Sequence, residues 1–166
     1  MLEMKKNIDD PIFIGGFRRS GTSLVRSRIS CHRKILGGPE TFWFDLDFKK
    51  KKGKKNFKLN EHIINLLKVF NIKDEKLLKK LIKLNSKKEF LDTFFNYLLS
   101  KNKFKKRWVE KTTDNTFYID YILKNWKKSL FIYVYRNPRS IFASLIKSNS
   151  SFNLQGFSSE IVNHYK

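Results

Sequence analysis

The segment that most constrains this chain lies near its start: Pro11-Ile12-Phe13-Ile14-Gly15-Gly16, an apolar run that ends in two glycines. Apolar residues in succession, without polar alternation, suit a strand buried on both faces, as in a parallel sheet. The glycines open a loop, and Ser20 to His32 then read as a helix with Leu24, Val25 and Ile29 on its inner side. Strand, glycine-bearing loop and helix in succession place any chemistry at the carboxyl end of the strand, where the loop turns.

The rest of the chain continues this alternation. Three helical patterns cover Asn60 to Asn71, Asp74 to Asn85 and Lys87 to Leu99. Leu77, Leu78, Leu81 and Ile82 recur at helical spacing in the second; Ser86 and Glu89 form a capping-box signature for the third, whose buried stripe is Phe90, Leu91, Phe94, Phe95 and Leu98. A second strand is expected over Arg107 to Lys111, followed by a helix over Asn115 to Lys127. A third strand, Leu130 to Tyr135, runs into Arg136-Asn137-Pro138, where Asn137 can cap a helix whose inner face is Ile141, Phe142, Leu145 and Ile146. The expected architecture is α/β, a P-loop-like three-layer fold with a central parallel sheet flanked by helices. With 40% apolar residues in 166, the whole chain reads as one domain.

Several classes fall away. No stretch approaches the roughly 20 continuous apolar residues of a membrane span, and Met1 to Asp10 lacks an apolar signal core. Cys31 is the single cysteine, so no internal disulfide can form, and the cytoplasm is the default location. His, Cys and carboxylates show no metal-ligand spacing, and His32, His62 and His164 are isolated. The formal charge of +21 arises from 36 Lys and Arg against 15 Asp and Glu, mostly as scattered surface lysine. Its densest run, Lys49 to Lys58, reads as an exposed loop and lacks the aromatic interleaving of a nucleic-acid platform.

Within the first loop, Gly16-Phe17-Arg18-Arg19-Ser20-Gly21-Thr22-Ser23 has the glycine spacing of a phosphate-binding loop, with Thr22 where a nucleoside triphosphatase carries lysine. Backbone N–H groups at the start of the next helix, with the hydroxyls of Ser20, Thr22 and Ser23 and the charge of Arg19, can cradle an anion. The missing lysine, and the lack of a strand-end aspartate for magnesium, weaken a triphosphatase or kinase reading.

The run from Pro11 to Leu24 resembles the 5′-phosphosulfate loop of sulfotransferases that use 3′-phosphoadenosine 5′-phosphosulfate (PAPS). Two further segments agree: Arg136 to Ser144 is similar to that family's 3′-phosphate motif, an arginine followed eight residues later by a serine, and Trp108-Val109-Glu110-Lys111-Thr112 resembles its lysine-bearing middle segment. The resemblance implies that Arg19, Ser20, Gly21, Thr22 and Ser23 hold the 5′-phosphosulfate and that Arg136 and Ser144 hold the 3′-phosphate. It places Lys111, with Arg19, beside the bridging oxygen. Thr113 stands where small-molecule members carry a catalytic histidine, so the base must lie elsewhere. Glu40, in Gly37-Gly38-Pro39-Glu40-Thr41, has the position of the glutamate in bacterial-type and tyrosylprotein-type members, although Pro39 departs from the latter.

The expected reaction is in-line sulfuryl transfer from PAPS to an acceptor hydroxyl, of a small molecule, a sugar or a tyrosine, without metal and without a membrane or nucleic-acid partner. Family members usually continue well beyond the point corresponding to Lys166, which implies a domain incomplete at its C-terminus. The competing readings are a P-loop nucleotide kinase or triphosphatase, and a basic module that binds nucleic acid without catalysis.

Overall fold

A computed structural model of the protein describes residues 10–38, 40–45, 48–51, 54–57, 65, 67–69, 71–84, 86–148 and 154–165. Strand β1 (Ile12–Gly15) leads through the glycine loop into helix α1 (Thr22–Ser30), then β2 (Ile35–Gly37) and a 3-10 turn at Trp43–Asp45. A hairpin of β3 (Phe48–Lys51) and β4 (Lys54–Phe57) precedes α2 (Glu75–Leu81) and α3 (Lys87–Ser100). Strand β5 (Arg107–Lys111), a 3-10 segment (Thr113–Tyr118), α4 (Ile119–Asn125), β6 (Leu130–Tyr133), α5 (Pro138–Ser148) and α6 (Leu154–Tyr165) complete the order.

The main sheet has the order β2-β5-β1-β6 with every pairing parallel. Ile12 lies opposite Val109 on one side and Leu130 on the other, so β1 runs down the middle and is buried along its whole length. Its pleat sends Phe13 to one face and Ile12 and Ile14 to the other. On the first face Phe13 meets Trp108, Trp126 and Trp43, and Phe95 of α3 stacks on Trp108 at 4.3 Å. On the second, Ile12, Ile14 and Val109 pack against Val25 and Ile29 of α1. Aromatic pairs of this kind add about 0.5–1.5 kcal/mol each beyond the area they bury.

Local signals set several boundaries. The Asp74 carboxylate accepts from the N–H groups of Lys76 and Leu77, and the Ser86 hydroxyl accepts from the Glu89 N–H, as its capping signature predicts. Asn137 caps α5 through the N–H of Arg139 at 2.9 Å. The buried side of α3 is the expected stripe with Leu99 added.

Other elements differ from the sequence reading. The lysine run is a hairpin, not a loop: β3 and β4 pair antiparallel, with Lys50 opposite Lys55 and Lys51 opposite Lys54. Helix α2 ends at Leu81, leaving Ile82 exposed while Leu84 beyond it packs against the core. The helix expected from Asn115 begins as 3-10 turn, since Asn115 is drawn into the core by its side chain. Leu24 and Ile146, expected inside, are exposed, each one residue away from the face its helix turns to the core. The apolar run from Leu130 forms a strand only to Tyr133 and lies at a sheet edge, with Leu130 and Tyr133 exposed. Of the helix expected over Asn60 to Asn71, Asn65, Leu67, Lys68 and Val69 are helical and Asn71 stands in a turn; the remainder, with His62, lies outside the described residues. No helix among the described residues is long and apolar enough to cross a membrane.

Candidate active site

The glycine loop is shaped by close approach. A Cβ at Gly16, whose φ is +139°, would lie 2.4 Å from the Val134 carbonyl oxygen, and one at Gly15 would lie 2.9 Å from the Thr116 nitrogen. The chain then turns through Arg19, in the left-handed region at φ 64°, to Gly21 at φ 103°, the residue before α1. Gly21 offers no side-chain cap, and the first turn of α1 holds no acid. The first helical bond runs from Val25 N to Gly21 O, so the N–H groups of Thr22, Ser23 and Leu24 have no acceptor within the helix. Beside them the Ser20 hydroxyl is buried and has no hydrogen-bond partner. Positive dipole, orphaned donors and absent acid together make an anion cradle.

The second motif closes on the first. Arg19 Nε donates to Ser144 Oγ at 3.1 Å, and Arg136 Nη1 donates to the backbone oxygen of Arg19 at 2.9 Å. The eight residues from Arg136 to Ser144 run from the end of β6 into α5, and so carry both side chains to the loop. Arg19 and Arg136 are exposed, whereas Lys111, the last residue of β5, is buried and forms an ion pair with Glu40. These groups border one cleft of about 530 Å³, lined by Arg18, Arg19, Lys111 and Arg136 as cations, Glu40 as the single carboxylate, and Leu24 and Phe42 among its apolar parts. Gly21, Thr22, Ser23, Thr113 and Ser144 complete its polar wall. Every residue singled out in the sequence therefore reaches this cleft or, for Ser20, its buried edge.

One residue was not singled out. Glu110, between Val109 and Lys111, is completely buried, and its Oε1 accepts from Thr41 Oγ1 and Thr112 Oγ1, each at 2.7 Å, and from Thr41 N at 3.3 Å. Its Oε2 accepts from Asn115 Nδ2 at 2.6 Å. Burial pushes its carboxyl above the ordinary glutamate range, against the opposing pull of the hydrogen bonds from Asn115, Thr112 and Thr41. A glutamate inside a strand otherwise set for burial is the signal that could have exposed it. The apolar lining by Leu24 had no such signal, because its helical position reads equally as core.

Outside this cleft the loop is tied to α6 by an ion pair of 2.5 Å between Arg18 and Glu160, both half-exposed. No cluster of His, Cys, Asp and Glu suited to a metal ion occurs among the described residues.

A central parallel sheet, with orphaned helix N–H groups at the carboxyl end of β1 beside cations and a carboxylate, gives an α/β protein whose cleft has the chemistry to accept an anionic group. A family model described as the sulfotransferase family matches residues 11–166. The chain belongs to the sulfotransferase family. Among solved structures it is similar to sulfotransferase STF9 from Mycobacterium avium, at 14% identity and a TM-score of 0.46, over 85% of this chain and 46% of that one. The chain thus spans about half the length of that protein. No curated protein matches it.

Proposed function

We propose that this chain is the nucleotide-binding and catalytic portion of a PAPS-dependent sulfotransferase, one domain over residues 1–166, that transfers a sulfuryl group to an acceptor hydroxyl. The observation that carries the reading is the ion pair of Glu40 with buried Lys111 at the mouth of a cationic cradle. It supplies, side by side, a proton acceptor and a cation for the leaving oxygen.

In this reading the α1 N–H groups and the hydroxyls of Ser20, Thr22 and Ser23 bind the 5′-phosphosulfate, and Arg136 and Ser144 bind the 3′-phosphate, Arg136 through charge-assisted hydrogen bonds. Arg19, bonded to Ser144 Oγ and to Arg136 through its backbone oxygen, keeps the two subsites in register. Glu40 takes the proton of the acceptor hydroxyl as its oxygen attacks sulfur. The bond from sulfur to the bridging oxygen breaks, and Lys111 and Arg19 stabilise the charge that grows there as adenosine 3′,5′-bisphosphate departs. A lysine drawn to that oxygen loosens its hold on Glu40, so seating the donor also frees the base. The acceptor enters past Leu24 and Phe42, and a small alcohol, a sugar or a tyrosine would each offer the hydroxyl.

Thr22, where a kinase loop has lysine, favours the bisphosphate over ATP. Calorimetry with each ligand tests the class: adenosine 3′,5′-bisphosphate should bind more tightly than ATP, and the reverse order would return the chain to the kinase reading.

A further inference from the structure

Strand alternation places Glu110 on the face of Trp108, within the aromatic core, and Lys111 on the opposite face, towards α1. The segment Glu40-Thr41 straddles the end of β5 in the same sense. Glu40 pairs with Lys111 on one side, and Thr41 donates both its N–H and its hydroxyl to Glu110 on the other. Two successive residues of the strand thus clasp two successive residues of the segment.

The turn that follows needs such a clasp. Phe42 has φ 46°, a left-handed backbone that a residue with a side chain adopts under strain and keeps only where its surroundings hold it. Glu110 organises those surroundings. Thr112, which donates to Glu110, accepts from Phe42 N at 3.4 Å. Asn115, which also donates to Glu110, accepts from Trp43 Nε1 at 2.8 Å and is anchored to the Ile14 carbonyl oxygen of β1 at 3.0 Å. Residues Thr41, Phe42 and Trp43 are therefore each fixed to Glu110, directly or through one side chain. A hydrocarbon in its place would fill the space without the acceptor oxygens, and an acid here carries a desolvation cost that packing alone does not explain.

We propose that Glu110 is a positioning residue for sulfuryl transfer: its buried carboxylate fixes the strained Thr41–Trp43 turn and thereby sets Glu40 against Lys111. The inference rests on the reading of Glu40 and Lys111 as base and leaving-oxygen cation, and Glu110 itself touches neither substrate.

The test compares Glu110→Ala and Glu110→Gln by two readouts. The first is PAPS-dependent transfer: Glu110→Ala should lower kcat by about 10–100-fold, as for reacting groups moved out of line, with KM for the nucleotide within about twofold. Glu110→Gln, which keeps an acceptor oxygen towards Thr41 and Thr112 but turns an amide donor on the Asn115 Nδ2 donor, should recover part of that loss. A residue that served only folding would instead lower the unfolding midpoint and bisphosphate affinity together. The second readout needs no turnover: acetylation of Lys111 by acetic anhydride, followed by mass spectrometry, should be severalfold faster in Glu110→Ala than in wild type and intermediate in Glu110→Gln. If Glu110→Ala does not fold, Thr41→Val removes one arm of the clasp and should also speed Lys111 labelling. Labelling at the wild-type rate in every folded variant overturns the proposal. If wild type transfers nothing from PAPS, the proposed activity falls, and Lys111 labelling still decides the role of Glu110.

Discussion

The two sides of the cleft are built on opposite principles. The side that would hold phosphates is the wetter one: Arg19, Ser23 and Arg136 are exposed, although Ser20 and Thr22 beside them are buried, and the grip comes from formal charge and a helix N-terminus. The side that would perform the transfer is dry. Lys111, Thr112, Thr41 and Glu110 are buried, and each polar atom is placed by a partner. Exposed charges attract a multiply charged ligand from a distance and tolerate imprecision, whereas a proton acceptor and a leaving-oxygen cation must be held to within fractions of an ångström.

That contrast can be broken most sharply at the dry side. Glu40→Gln keeps the shape of the acid but cannot accept a proton, and single-turnover transfer should slow by about 10²–10⁴-fold while bisphosphate affinity holds. A mutant with the wild-type rate would remove Glu40 from the chemistry. Lys111→Ala should cost about 10²–10³-fold in the transfer rate constant and much less in binding. Equal losses in rate and affinity would move Lys111 to the binding side.

On the wet side the expected effects are smaller and fall on affinity. Arg136→Ala should weaken adenosine 3′,5′-bisphosphate by about 1.5–3 kcal/mol, a charge-assisted bond, and leave adenosine 5′-phosphosulfate, which lacks the 3′-phosphate, almost unchanged. Calorimetry with both ligands reads this directly, and an equal loss for both would place Arg136 on some other group.

The smallest effect concerns stability. Because the folded-state pKa of Glu110 is raised, the native protein binds this proton more tightly than the unfolded chain does. Wild-type stability should therefore fall, relative to Glu110→Gln, as pH rises from the ordinary glutamate range through the raised value, and level off above it. Urea melts of both proteins from pH 4 to pH 8 check the sign; parallel curves would mean that Glu110 titrates as it does in the unfolded chain.

The wet side was also the more legible in the sequence. Its parts are local: an apolar strand, glycines at the turn, a helix start, and an arginine and serine eight residues apart. The dry side depends on which residues of distant segments share a sheet end. Glu40 and Lys111 were marked by family resemblance, but Glu110, Thr41 and Asn115 form a site only once β5 is threaded beside β1. Composition misled where it was most emphatic. Dense charge reads as loop, yet Lys49 to Lys51 and Lys54 to Lys55 stand within paired strands, even though like charges directly opposite oppose the pairing. Leu24 failed for a complementary reason, since a leucine that lines an open cleft and one that lines a core have the same helical periodicity.

The parallel register of β1 also dictates an order of assembly. Its two neighbours, β5 and β6, follow it at long separation, so β1 is made well before either partner strand. Loop-closure entropy must be overcome over most of the chain before β1 is secured, which makes for slow folding by contact order. A nascent chain halted before Lys111 would carry the complete glycine loop without the strands that hold it in shape. Bisphosphate affinity should consequently appear only once β5, β6 and the segment from Arg136 to Ser144 have emerged, making ligand protection a clock for the pairing of β1.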